Sequence, residues 1–328
     1  RLLASTLEEG ISYLQTNPRY SDSFDISMDP NSSDFTKKLE KLLLENVYNE
    51  ILALINYIPK KSKEFIIAYL RKSYIDAIKY ILRMIHEEKT DPVSLEEFFV
   101  LSVEDNAELI VLSKSPKIEE VIEKIQTQWV KDALKSVMVE YFEQNNILLL
   151  EHALDQAYYS KLWDSEIPSL SKRDRKIAEK ILGMQIDLNN ISTVLRGVVL
   201  NLPREKIETQ LLSINYRLGS FLDLGVNIHS FSETINALQN TVYSDLGQAI
   251  YREYKEKDRS IVNIELLQQE WFLQSLLSML ASYPFHIGIL LSYLIFRFQE
   301  IDNLRIIFET KWKEADLKLA RELLIYFQ

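Results

Sequence analysis

Apolar residues recur along this chain at three- and four-residue intervals, the spacing that lays one stripe along an α-helix. Residues 1 to 16 carry Leu2, Leu3, Leu7, Ile11 and Leu14 and read as a helix ending before Asn17-Pro18. The polar stretch 21–34 (SDSFDISMDPNSSD) reads as a loop, with Ser33 or Asp34 placed to cap a helix over about 35–57. Ile191, Val194, Leu195, Val198 and Val199 form the same kind of stripe in the centre of the chain. Further loops are expected at Pro168–Lys172 and at Asn201-Leu202-Pro203. Beyond Pro284 one helix is expected to run to about Lys313.

The stripes repeat at a fixed distance. Residues 186–197 read IDLNNISTVLRG, with Asp187 three before Asn190, and Arg196 five after Ile191. The segment EIDNLRIIFETK puts Glu300, Asn303 and Leu304 in the same places, and 304 − 191 = 113. Going back by the same step, 191 − 78 = 113, YIDAIKYILRMI puts Ile78 on Ile191 and Arg83 on Arg196. An aromatic precedes each signature: Tyr48, Tyr158 and Trp271, at 78 − 48 = 30, 191 − 158 = 33 and 304 − 271 = 33 residues. Earlier still, LQTNPRY, IQTQW and LQNTVY each set a threonine just before an aromatic. Three marks in one order predict a three-fold internal repeat with boundaries near 105 and Gly219, giving repeats 1–105, 106–218 and 219–328.

Asp187 with Asn190, and Glu300 with Asn303, stand on adjacent turns of their helices. Such pairs can bond the ends of neighbouring helices or face a partner. The aromatics Tyr48, Tyr158 and Trp271 are expected to pack between crossing helices.

Composition narrows the reading. In 328 residues there are only 7 glycines and 8 prolines, which disfavours Gly-rich phosphate loops and suits long helices on short connections. The net charge of −10 is spread over the repeats as −5, −1 and −4, and no repeat is basic, which argues against a nucleic-acid binder. The basic cluster KRDRK at 172–176 reads as a solvated helix start. The absence of cysteine excludes disulfides and thiolate chemistry, and no signal peptide is visible. The chain opens on Arg1, not methionine, which leaves open native residues ahead of it. No charged residue occurs from Trp271 to Phe296, but Tyr283-Pro284 falls in its middle, so two buried helical segments are expected and no membrane span.

No catalytic pattern stands out. There is no G-x-x-x-x-G-K-[ST] loop and no G-x-S-x-G elbow, and SLSK at 169–172 lacks companion motifs. His86, His152, His229 and His286 are isolated, and Glu140 and Glu143 have no histidine partner, so no metal site or cofactor is expected. An all-α prenyl synthase would need clustered aspartates, and a solenoid scaffold would need shorter units, roughly 34 to 47 residues.

At RDRKIAEKILGMQIDLNNISTVLRG (173–197) and PFHIGILLSYLIFRFQEIDNLRIIFETK (284–311) the chain resembles the C subunits of the archaeal-type (A-type) and bacterial vacuolar-type (V-type) ATPases, counterparts of the eukaryotic vacuolar d subunit. The pattern D/E-x-x-N-[IL] with a following Arg or Lys is met by Asp187, Asn190, Ile191 and Arg196, and by Glu300, Asn303, Leu304 and Lys311. Tyr74 and Ala77 replace the acid and the Asn in the first repeat, and Glu309 stands where Arg196 would lie in the third. The resemblance implies an all-helical, non-catalytic rotor component with three similar domains around a pseudo-three-fold axis, funnel-like. Such a component has no cofactor and no span of its own. It sits on the cytoplasmic face of the membrane between the central-stalk subunits and the proteolipid ring, coupling ATP synthesis or hydrolysis to proton or sodium transport.

Overall fold

The computed structural model describes residues 2–21, 29–89, 102–225, 230–256, 261–280 and 286–326. Every regular element among them is helical. The chain divides into two compact units, Arg1–Ser136 with Tyr293–Ile325, and Val137–Ser292 with Tyr326–Gln328.

The first unit holds α1 (Leu7–Thr16), α2 (Phe35–Leu54), α3 (Lys60–Leu70), α4 (Lys72–His86), α5 (Val103–Leu112) and α6 (Ile118–Lys124). Helix α7 (Gln128–Gln144) starts in the first unit and ends in the second. The second unit holds α8 (Ile147–Lys161), the single turn α9 (Ile167–Ser169), α10 (Lys172–Val199), α11 (Arg204–Glu208) and α12 (Phe221–Gly225). It continues with α13 (Phe231–Gln239), α14 (Ser244–Glu256) and α15 (Ile261–Leu280). Helix α16 (Ile287–Trp312) begins in the second unit and runs on in the first, which α17 (Leu317–Leu323) completes.

Local chemistry sets several boundaries. Thr6 and Glu9 form a reciprocal capping box, so α1 starts at Leu7 and the residues before it form only a 3-10 turn. Asn146 caps α8, and Ser171 caps α10 by accepting from the Asp174 N–H. Asp34 stands at the start of α2, but its carboxylate takes the Ser32 hydroxyl and Lys38 instead of a backbone donor. Helix α2 ends at Leu54 and tightens into a 3-10 turn over Ile55–Tyr57. The loop at 201–203 holds Asn201 at φ 52°, a left-handed conformation that Asn tolerates.

The stripes bury as their spacing requires. Phe35, Leu39, Leu43, Val47 and Ile51 of α2 lie on one face, each within 1% of full burial. In α10, Ile191, Val194, Leu195 and Val198 are buried, Val199 half-buried and Arg196 exposed. No helix of the described residues is long and apolar enough to cross a membrane. Tyr283-Pro284, Asp22, Asp25 and His229 lie outside the described residues.

Candidate functional site

In the second unit the midpoint of α10 carries two polar side chains, Asp187 and Asn190, with no exposure to solvent. A buried carboxylate needs donors, and Asp187 has three: the backbone N–H groups of Tyr216 (3.0 Å) and Arg217 (2.8 Å), and the hydroxyl of Tyr243 (2.7 Å). Burial nonetheless raises its pKa above the ordinary value, against the opposing pull of these bonds and of the Arg217 charge. Asn190 makes a reciprocal pair with Leu212, accepting from its N–H at 2.8 Å and donating to its carbonyl at 3.1 Å. The Asn190 amide also reaches the Ile214 carbonyl at 3.3 Å.

The partners are therefore not helix ends but the irregular segment 212–217, together with a tyrosine just ahead of α14. The physical reason is that the segment has backbone groups no helix satisfies, whereas Ser171 already serves the start of α10. Gly183 lets the segment lie close, since a Cβ there would fall 2.4 Å from the Tyr216 ring. Ser192 bonds Gln268, and Arg196 pairs with Glu265 at the exposed edge of α10.

In the first unit α16 repeats half of this and changes the rest. Asn303 makes the same reciprocal pair, with Ile325: its amide donates to the carbonyl at 2.7 Å, and its oxygen accepts from the N–H at 3.2 Å. Both pairs span 22 residues, so their partners too are 113 apart, 325 − 212 = 113. Glu300, where Asp187 would be, accepts the Tyr20 hydroxyl at 2.6 Å and Arg19 at 3.3 Å. Unlike Asp187 it has a cation beneath it. Arg297, only 2% exposed, donates to Glu300 (2.5 Å), and to Tyr20, Glu50 and Asn46 (3.0 Å each). Its guanidinium also lies 5.3 Å from the centre of the Tyr20 ring. Arg305 pairs with Glu40 at 3.1 Å, and Lys311 donates to the carbonyls of Leu3 (3.4 Å) and Ser5. Burial lowers the Lys311 pKa, with Glu9 opposing.

Helix α4 carries the departing signature. Tyr74 is fully buried where the acid would be, with Arg71 over its ring at 5.4 Å. Arg71 forks onto Asp105 (2.8 and 3.3 Å) and reaches the Thr127 hydroxyl at 3.3 Å. Arg71 and Arg297 stand two steps apart, 297 − 71 = 226, and each covers a tyrosine. Tyr74 is three residues from its arginine, whereas Tyr20 comes from 277 residues away. Arg83 lies on the exposed side of α4.

Of the flagged aromatics, Tyr48 is buried edge-on to Phe298 at 5.8 Å, and Tyr158 is buried against Tyr159 at 5.1 Å. Trp271 is half-buried and tilted against Tyr243 at 5.3 Å. Sequence reasoning missed Arg71, Arg297, Tyr216 and the two reciprocal partners Leu212 and Ile325. The pair 71/297 follows the same step as the signature and could have been found by extending the comparison one turn earlier. Among the described residues no group of His, Asp or Glu could hold a metal ion.

Long helices with few glycines, of which α10 and α16 grip distant stretches of the chain through buried polar side chains, define an all-helical architecture among the described residues. The profile of the ATP synthase (C/AC39) subunit family matches residues 1–319, and the chain belongs to that family. It is similar to the A-type ATP synthase C subunit of Methanosarcina acetivorans, 25% identical over 97% of this chain and 84% of the relative. The corresponding protein of Methanosarcina mazei is 23% identical over 99% and 86%. That of Pyrococcus horikoshii is 21% identical over 95% and 86%.

Proposed function

We propose that this chain is a non-catalytic rotor component of an archaeal-type or vacuolar-type ATPase, coupling the central stalk to the proteolipid ring. It rests on the cytoplasmic face of the membrane and passes torque between ATP turnover and proton or sodium movement. One observation carries this reading: family membership over nearly the whole chain, with relatives named as A-type ATP synthase C subunits matching along most of their length. A torque-bearing spacer needs stiffness, which packed helices of 26 and 28 residues supply.

The three repeats 1–105, 106–218 and 219–328 then form a funnel about a pseudo-three-fold axis. Three contacts support that arrangement. Arg71, just ahead of the first signature helix, reaches Thr127 in the corner of the second repeat. Asp187 of the second takes Tyr243 from the corner of the third, and Glu300 of the third takes Tyr20 from the corner of the first. That one-two-three-one order is the one a ring of three repeats requires. In this reading Asp187 and Glu300 join one repeat to the next, Asn190 and Asn303 brace their own repeats, and the exposed Arg83 and Arg196 are the partner-facing candidates.

The test is co-purification of tagged full-length chain with stalk subunits and ring. Binding to both, with no ATP turnover by the isolated chain, is the expected outcome. A chain that binds neither, or only one, overturns the coupling role.

A further inference from the structure

The junction of α7 and α8 forms a tip whose apolar side chains neither the core nor the polar joints explain. Val139 is 72% exposed, Phe142 55% and Leu148 46%. Val139 and Phe142 are one turn apart and share a face of α7. Leu148 opens α8 just across the Asn145-Asn146 turn. That turn is fixed by Asn145 at φ 48° and by the Asn146 side chain accepting from the Leu148 N–H at 3.1 Å. Behind Phe142 the buried ring of Tyr141 packs at 5.3 Å, so the exposed ring has a firm support.

The charge around the tip is one-sided. From Ser136 to Ser160 there is no Lys or Arg, while Glu140, Glu143, Glu151 and Asp155 all fall in that span. Elsewhere several acids pair with a lysine four residues away, as in Lys38–Asp34, Lys124–Glu120 and Lys313–Glu309. At the tip Glu140 instead accepts from the neutral amide of Gln144 at 2.9 Å. The tip therefore presents an apolar face edged by the negative charge of Glu140 and Glu143.

We propose that the α7–α8 tip is a docking surface for a basic, apolar-faced helix of a partner protein. Phe142 would be the anchor, with Val139 and Leu148 beside it, and Glu140 and Glu143 would meet the partner's lysines or arginines. An anionic lipid surface would be repelled by the same two glutamates, so a protein is the occupant. The surface is separate from the buried joints, and its failure would leave the coupling role standing.

The test titrates full-length chain with a synthetic leucine–lysine amphipathic helical peptide, following fluorescence anisotropy. Phe142→Ser and the double variant Glu140→Lys/Glu143→Lys should each weaken binding about tenfold or more. The control Glu104→Lys/Glu119→Lys carries the same charge change on exposed sites elsewhere and should change it less than about twofold. All substitutions are at the surface, and unchanged far-UV circular dichroism checks the fold. Equal loss in the control means that the peptide senses net charge alone, and overturns the proposal. A photo-crosslinking residue at position 142 in the assembled complex gives a second readout. A crosslinked peptide rich in Lys or Arg and leucine-like residues supports the proposal. A lipid adduct, an acidic peptide or no adduct sinks it.

Discussion

Asp187 in one unit and Arg297 in the other are both charges held inside the protein, and they are satisfied from opposite directions. Asp187 sits alone, with no cation in its bond set, and takes three neutral donors from segments 29 to 56 residues away. Arg297 supplies the donors itself, and its carboxylate partners Glu50 and Glu300 keep about a third of their side-chain surface in water. Removing the acid strands donors around a dry site. Removing the cation strands acids that water can reach. Both sit inside long helices, yet the cost of deletion should differ, because the loss from a broken buried bond falls on whichever group is left without solvent.

The sharpest way to break this comparison is Asp187→Ala. It leaves Tyr243 and two backbone N–H groups without an acceptor, and should cost about 3 kcal/mol, read as a lower urea midpoint and faster amide exchange at 212–217. Arg297→Met should cost less, about 2 kcal/mol. Methionine keeps the stem, and Met184 already fills the equivalent place in α10, 297 − 184 = 113. If Arg297→Met proves the more damaging, the account of which group bears the loss is wrong.

Tyr243→Phe and Tyr20→Phe come next. Each removes a hydroxyl bonded to a charged group and should cost about 1.5 kcal/mol, measured by the same denaturation curves. Acidity offers a finer probe. The folded-state pKa of Asp187 is raised by burial, so its ionisation opposes folding. Its contribution is fully present below its unfolded pKa and is lost as pH rises through the folded value. The stability of the wild type relative to Asp187→Asn should therefore fall as pH climbs from about 4 toward neutrality; a constant gap would contradict it. Smallest of all, Arg196→Ala removes an exposed pair with Glu265 and should shift stability by less than about 0.5 kcal/mol.

Much of this was legible in the chain itself. The stripes of α2, α10 and α16 follow from side-chain spacing, because helix geometry is set by residues three and four apart. The Asp187/Glu300 and Asn190/Asn303 correspondences could be read by counting, and so could the family resemblance. Tyr74 shows the limit. Its place in the pattern marks a departure, but nothing local says that Arg71 would cover its ring or that Asp105 would hold the arginine.

The sequence by itself determined that the chain is helical, roughly where its first two helices and its longest late helix lie, and which polar residues fall in the middle of apolar stripes. Those properties are local, fixed by periodicity and by caps within a turn. Only the tertiary structure decided what the polar residues hold: Asn190 to Leu212, Asn303 to Ile325, Asp187 to Tyr243, Glu300 to Tyr20. Their partners lie 22 to 280 residues away, and a buried donor or acceptor states only that it needs a partner, never which one the fold will bring.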